Sequence, residues 1–251
     1  MSMIVWALFD SGNGCYKRSA DEIDDIEIYS IGLDIENKNN HFINLNLADY
    51  SRLFGDNTLF DTLDKLPQPD LIIASPPCES WSVASAMKNG NACWKREDVS
   101  DSLFEPQTPL SRFTVRNYTD YDGTQFKQDK SLIKRINGEL CAFNTIEIIR
   151  KYNPKYYIIE NPAHGRLWEY VDKILGFKIP FENFTYYNNY DYPISKPTKF
   201  KSNVNLNLKS ENIPNDVIFN SGFSRDYNER SNIPNKLVDE IFSKILKMED
   251  V

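Results

Sequence analysis

The stretch Asp70-Leu71-Ile72-Ile73-Ala74-Ser75-Pro76-Pro77-Cys78-Glu79-Ser80-Trp81-Ser82 decides the fold. Four apolar residues of strand character stop at two prolines, and a cysteine follows at once. Proline has no N–H for a sheet ladder and holds its own φ fixed. Cys78 therefore stands on a stiff loop at the end of a buried strand. In an open α/β sheet, ligands bind at that end of the strands. A thiol placed there is a candidate nucleophile, and a small buried packing residue is the plainer reading of the same cysteine.

Working outward, Met3 to Phe9 reads as a first buried strand, ended by Ser11-Gly12-Asn13-Gly14. Ile26 to Asp34 reads as a second, and His41 to Asp49 holds a short third, each ending in an acid. Leu71 to Ala74 is the fourth. Glu139 to Tyr152 carries Leu140, Phe143, Ile146 and Ile149 at helical spacing, and Pro154 stops it. Lys155 to Pro162 is a fifth strand ending in Glu160-Asn161-Pro162, and Leu237 to Met248 is a C-terminal helix introduced by Pro234. Strands alternating with helices predict a doubly wound, mostly parallel sheet. Residues 86–138 break this rhythm as a polar insertion, and 201–229 form a second irregular, Asn-rich region.

The chain has 251 residues, 41% of them hydrophobic, enough for one α/β domain with a sizeable core. The sequence carries no basic leader and no run of the roughly 20 apolar residues that spans a bilayer, so a cytoplasmic protein without a membrane partner is expected. The four cysteines lie far apart without a CxxC pair, and there are two histidines. That spacing disfavours structural zinc, a disulfide framework and a Ser-His-Asp triad, and no metal is expected. Net charge is −7, which is not the footprint of a general polyanion binder. The acidity is concentrated: residues 1–80 hold 5 basic against 14 acidic side chains, whereas 86–138 and 195–230 each carry a balance of +2. A polyanion would meet the middle and the C-terminal third.

Gly12 and Gly14 let the backbone approach a ligand, and Asp34 and Asp49 stand where acids receive a ribose and an adenine. A tight turn and two helix N-caps would use the same residues. Cys78 and Glu160 carry the sharper signal. If their strands are neighbours, a thiol and a carboxyl converge on one pocket. A pyrimidine becomes nucleophilic at carbon 5 when a thiolate adds to carbon 6 and an acid protonates, or hydrogen-bonds to, nitrogen 3. Glu160 alone would read as a surface or capping carboxylate.

These residues resemble the cytosine carbon-5 DNA methyltransferases, in particular compact, phage-type members. Ser75-Pro76-Pro77-Cys78 with Trp81-Ser82 is similar to the family's Pro-Pro-Cys motif, and Glu160-Asn161-Pro162 to its Glu-Asn-Val motif. Ser11 to Gly14 resembles its S-adenosylmethionine loop. Tyr187 to Thr198 resembles its variant hairpin, and Arg230 to Pro234 the approach to its closing helix. The resemblance implies a Rossmann-like methyltransferase fold spanning 1–200 and 230–251, with a reduced target-recognition segment at 201–229. It implies methyl transfer from S-adenosylmethionine to carbon 5 of a cytosine flipped out of double-stranded DNA, and a role in restriction-modification or phage DNA protection. It assigns Cys78 and Glu160 to catalysis. Phe9, Ser11, Gly12, Asn13, Gly14, Asp34, Asp49 and Pro76 would hold the cofactor, and Ser75, Pro77, Asn161 and Lys196 the base.

The sequence departs from the family in lacking the Gln-x-Arg-x-Arg hairpin, near which Ser195, Lys196 and Lys199 stand, and in Pro162 for valine. Lys88, Lys95, Arg96, Arg112 and Arg116 with Trp94, Phe113 and Tyr118 suit phosphate contact and base stacking in the insertion. They equally suit a loop packed on its own aromatics. The competing reading is a catalytically silent methyltransferase-like protein that binds nucleic acid or a host protein as an inhibitor or regulator. Amino-methylation is a weaker rival, because Cys78 stands where such enzymes place an aromatic. Methylation of RNA is a further alternative.

Overall fold

The computed structural model describes residues 2–11, 14–33, 41–82, 94–96, 113–115, 128–214 and 232–249, with backbone alone for 94–96, 113–115 and 128–131. The elements in chain order are β1 (Met3–Leu8), α1 (Cys15–Ala20), β2 (Ile26–Gly32), β3 (Phe42–Asn44), α2 (Thr58–Leu63) and β4 (Leu71–Ala74). They continue with β5 (Trp94–Arg96), β6 (Phe113–Val115), α3 (Gln128–Tyr152), β7 (Tyr156–Pro162) and α4 (Leu167–Glu169). Last come β8 (Phe181–Tyr186), β9 (Pro197–Ser202) and α5 (Asn235–Glu249). Short 3-10 turns span Ser51–Phe54 and Tyr187–Tyr190, and α4 runs on as a π-turn over Tyr170–Ile174.

Seven strands form one sheet in the order β3-β2-β1-β4-β7-β9-β8. The first five in that order pair in parallel. β9 runs antiparallel to both β7 and β8. All four residues of β4 are buried, as a central parallel strand covered on both faces demands. One face packs Val5, Ile73 and Ile158 against α1 and α5; the other packs Trp6, Ile72 and Ile159 against α2, α3 and α4. This is the Rossmann-like α/β architecture expected, with helices on both faces of a mostly parallel sheet. The chain winds outward from β1 to β3, then returns to lay β4 on β1's other side. The switch point between β1 and β4 is where such sheets open a crevice for ligands.

Several boundaries differ from expectation. The long helix begins at Gln128, not at Glu139, so the last fifth of the expected insertion is helical. Residues 128–138 carry Leu132, Ile133 and Ile136 at helical spacing, all three exposed, and Gly138 reads as a break at a cost of about 1 kcal/mol against alanine. The glycine is retained by a close approach: a methyl group there would stand 2.6 Å from Ser80 Oγ and 2.8 Å from its Cβ. A two-stranded antiparallel pair, β5 with β6, lies within the stretch expected to be irregular. Lys88, Arg112, Arg116 and Tyr118 lie outside the described residues, as do the side chains of Trp94, Lys95, Arg96 and Phe113.

The second strand ends at Gly32, and the third contracts to three residues. β8 and β9 were not anticipated. Residues 203–213 continue from β9 into the same core: Leu206 and Leu208 are buried in it. Leu206 N–H donates to Asn183 Oδ1 at 2.7 Å, and Thr185 Oγ1 donates to the Lys209 carbonyl at 2.6 Å. Residues 215–231 lie outside the described residues. Among the described residues no helix is long and apolar enough to cross a membrane, and no cluster of His, Cys, Asp and Glu could hold a metal ion.

Candidate active site

Register alone aligns the strand ends. Leu8 pairs with Ala74, and Ala74 with Ile159. The residues that follow, Phe9, Ser75 and Glu160, therefore stand side by side at the C-terminal edge of the sheet. Side chains alternate along a strand, so Ser75 and Glu160 project to the same face as Ile73 and Ile158. That is the face that buries Tyr16 of α1 and Tyr187 of the turn after β8.

These groups are joined by hydrogen bonds. The Tyr187 hydroxyl donates to Glu160 Oε1 at 3.3 Å. Ser75 Oγ hydrogen-bonds to the Glu160 carboxyl and lies 2.6 Å from the Tyr16 hydroxyl. Burial pushes the Glu160 carboxyl above the usual carboxylate range, while the Lys196 ammonium and then the Ser75 and Tyr187 hydroxyls pull it back. Lys196 Nζ sits over the Tyr187 ring, 4.9 Å from its centroid.

Cys78 is half-buried at the rim of this cluster. Burial pushes its thiol up; Lys196 pulls it down, and Glu160 and Glu79 push it up again. The thiol thus lies within the electrostatic reach of both Glu160 and Lys196. The loop that carries it is tied down at every turn. Asn161 Nδ2 donates to the Pro76 carbonyl at 2.8 Å, and the Trp81 and Ser82 N–H groups close on the Cys78 carbonyl at 3.0 and 2.9 Å. Trp81 is buried in the core beneath, and its carbonyl accepts the Arg166 N–H at 3.0 Å. Ser80 Oγ donates to the Lys134 carbonyl of α3 at 2.6 Å, and Lys134 pairs with Glu79 at 2.9 Å.

The loop after β1 begins at Phe9, whose φ of +66° is a left-handed conformation. A bulky residue held there costs on the order of 1–3 kcal/mol, a kind of strain that clusters at functional sites. The next residue, Asp10, is buried. It accepts the Ser30 hydroxyl at 2.7 Å and the N–H groups of Lys17 and Ser11. Burial still raises its carboxyl above the ordinary range. Gly14 opens α1 directly against this carboxyl: a Cβ there would lie 1.8 Å from Asp10 Oδ1, so only glycine fits. Ser11 and Gly14 flank Gly12 and Asn13, which with Asp34 lie outside the described residues.

Asp49 Oδ2 accepts both the N–H and the hydroxyl of Ser51 in a local turn, while the N-cap of the 3-10 turn that follows is Tyr50, so Asp49 is not a helix cap. The loop carrying Asp49 hangs from buried Asn144 of α3, which donates to the Leu47 and Asp49 carbonyls at 2.8 Å each. Cys78, Glu160, Ser75 and Lys196 are thus gathered, with Asn161 and Pro76 bonded beneath them and Pro77 in the same half-buried loop. Phe9, Ser11 and Gly14 lie in the loop after β1. The sequence reading missed Asp10, Tyr16, Asn144 and Tyr187. Asp10 sits inside a stretch already singled out, and Tyr187 inside the quoted hairpin; a titratable residue next to a motif was the available signal.

No family model matches the chain, and no curated protein matches it. Among solved structures it is similar to a prophage-encoded E. coli protein assigned as a DNA modification methyltransferase. The identity is 13% and the TM-score 0.42, over 80% of this chain and 46% of that one. It is also similar to a methyltransferase of Entamoeba histolytica, at 13% identity and a TM-score of 0.40, over 86% of this chain and 58% of that one. The chain thus spans about half the length of these structures.

Proposed function

We propose that the protein is a DNA methyltransferase acting on carbon 5 of cytosine, with Cys78 as nucleophile and Glu160 as the acid at ring nitrogen 3. The observation that carries this reading is the convergence of a half-buried thiol and a buried carboxyl from the ends of adjacent parallel strands β4 and β7, with Lys196 brought in just before antiparallel β9. The Cys78 thiolate forms a bond to carbon 6 of an extruded cytosine. The electrons displaced from the 5,6 double bond are accepted through the ring as Glu160 gives its proton to nitrogen 3. A carboxyl kept above its ordinary range by burial retains that proton nearer neutrality. Lys196 favours the thiolate and stands in for the arginines absent from the hairpin.

The crevice between β1 and β4 suits S-adenosylmethionine. The strained turn at Phe9, the backbone of Ser11 and Gly14, and Asp49 line its edge, and the Asp10 carboxyl braces the loop from behind. When bound there, that cofactor supplies an electrophilic methyl group. Pro76 and Pro77 hold the Cys78 loop against the crevice without flexing, so thiol and cofactor stay in register.

The experiment is covalent trapping on double-stranded DNA containing 5-fluorocytosine, in the presence of S-adenosylmethionine. A protein–DNA adduct is expected with the wild type and is lost in Cys78→Ser, while cofactor affinity stays within about twofold, because the thiol acts on the base. Cofactor binding with no adduct on DNA of mixed sequence would overturn the enzymatic reading in favour of a silent binding protein.

A further inference from the structure

Tyr187 is fully buried, where a phenylalanine would pack as well. A buried hydroxyl costs free energy unless it is bonded, so its presence demands a partner, and the partners are Glu160 Oε1 and the Thr198 side chain. The same ring carries Lys196 on its face and meets Tyr192 edge-on at 5.6 Å. One side chain thus touches both charged groups that act on Cys78.

We infer that Tyr187 is a positioning residue: its hydroxyl orients the Glu160 carboxyl, and its ring face seats the Lys196 ammonium toward the Cys78 thiol. The second donor to Glu160, Ser75, is itself held by Tyr16, which is also buried. Two held donors on one buried carboxyl restrict its rotation. A cation over an aromatic face gains more when both are partly desolvated, as here. The consequence for chemistry rests on the reading above, but the positioning itself does not, and the test separates the two.

Tyr187→Phe keeps the ring and removes the hydroxyl. A donor to a carboxylate favours its charged form, so its loss raises the Glu160 pKa. In protein with 13C-labelled glutamate, with Glu160→Gln identifying the resonance, the Glu160 midpoint is expected to rise by about one pH unit. An unchanged midpoint overturns the inference, whatever the protein's activity. Tyr187→Leu removes the ring face as well. The pH profile of Cys78 alkylation by iodoacetamide, read on the Cys78 peptide, should then move further upward than in Tyr187→Phe. Coincident profiles overturn the seating of Lys196. In the 5-fluorocytosine assay, Tyr187→Phe should shift the alkaline limb of adduct formation upward by the same interval as the carboxyl midpoint. Absence of any wild-type adduct sinks the methyltransferase reading, while the carboxyl titration still decides the role of Tyr187.

Discussion

The two faces of the sheet serve the candidate site in different ways. On the side of α1 and α5, buried hydroxyls reach the candidate acid: Tyr16 holds Ser75, and Ser75 and Tyr187 hold Glu160. On the side of α2, α3 and α4 the support comes through the Cys78 loop. Trp81 is sunk in the core, Ser80 is bonded to the Lys134 carbonyl, and Gly138 lets α3 approach within van der Waals contact. One face surrounds the Glu160 carboxyl with hydroxyls, and the other packs beneath the Cys78 loop. The difference teaches that a polar site in an α/β protein needs two kinds of support. Hydrogen-bond donors tune a buried acid, whereas a nucleophile on a loop needs rigid packing beneath it.

The division can be broken by variants that cross it. The largest effect is expected from Glu160→Gln, which removes the acid from the tyrosine side. Methyl transfer should fall by about 10²–10⁴-fold, the range for loss of a general acid, in initial rates with labelled S-adenosylmethionine. A rate within threefold of wild type means the acid is not used. Trp81→Ala attacks the other face. It should cost about 3–5 kcal/mol of stability, as a buried large-to-small change does, measured by denaturant unfolding. If the Glu160 titration moves with it, the two faces are not separate.

Gly138→Ala sharpens the same point with one methyl group. Alanine favours the helix by about 1 kcal/mol, yet the clash with Ser80 Oγ and Cβ leaves that group nowhere to go. A net loss of about 1–3 kcal/mol is expected from overpacking, together with slower Cys78-dependent trapping. A melting temperature above wild type would show that α3 does not press on the loop. The smallest effect is on pH dependence, through Asp10→Asn. Burial raises the Asp10 carboxyl in the folded protein, so the unfolded chain releases its proton first as pH rises. The folded state is therefore favoured below the ordinary Asp range of about 4 and loses that advantage as pH climbs through the raised value. Glu160 acts in the same direction. Melting temperature should decline less steeply with pH in Asp10→Asn than in wild type, and identical slopes would remove Asp10 from the linkage.

Much of the central sheet was legible because parallel strands write themselves as short apolar runs. Leu71-Ile72-Ile73-Ala74 ends against prolines and is β4 without adjustment; Tyr156–Pro162 differs from its expected bounds by one residue. The edges were not legible. In β9 the sequence Pro-Thr-Lys-Phe-Lys-Ser offers one large apolar residue, Phe200, and its strand state comes from pairing between β7 and β8. The first half of α3 does carry an apolar period, Leu132, Ile133 and Ile136, but these side chains stay exposed, and Gly138, which reads as a break, is there to pack against Ser80. At the site, Cys78 and Glu160 were readable because prolines and strand ends mark them. Tyr16, Tyr187 and Asp10 were not, because a buried tyrosine or aspartate is indistinguishable in sequence from a surface one.

The order of residues along the chain was sufficient to determine a doubly wound α/β sheet, with a cysteine and a glutamate each at a strand's C-terminal end. Strand character and proline stops are local properties, written within a few residues. Only tertiary structure decided that β4 and β7 are neighbours, that Ser75 and Glu160 project to one face, and that Tyr187 and Lys196 arrive there from far along the chain. Those relations depend on strand order and register, which are set by burying both faces of the sheet at once and by no single stretch of sequence.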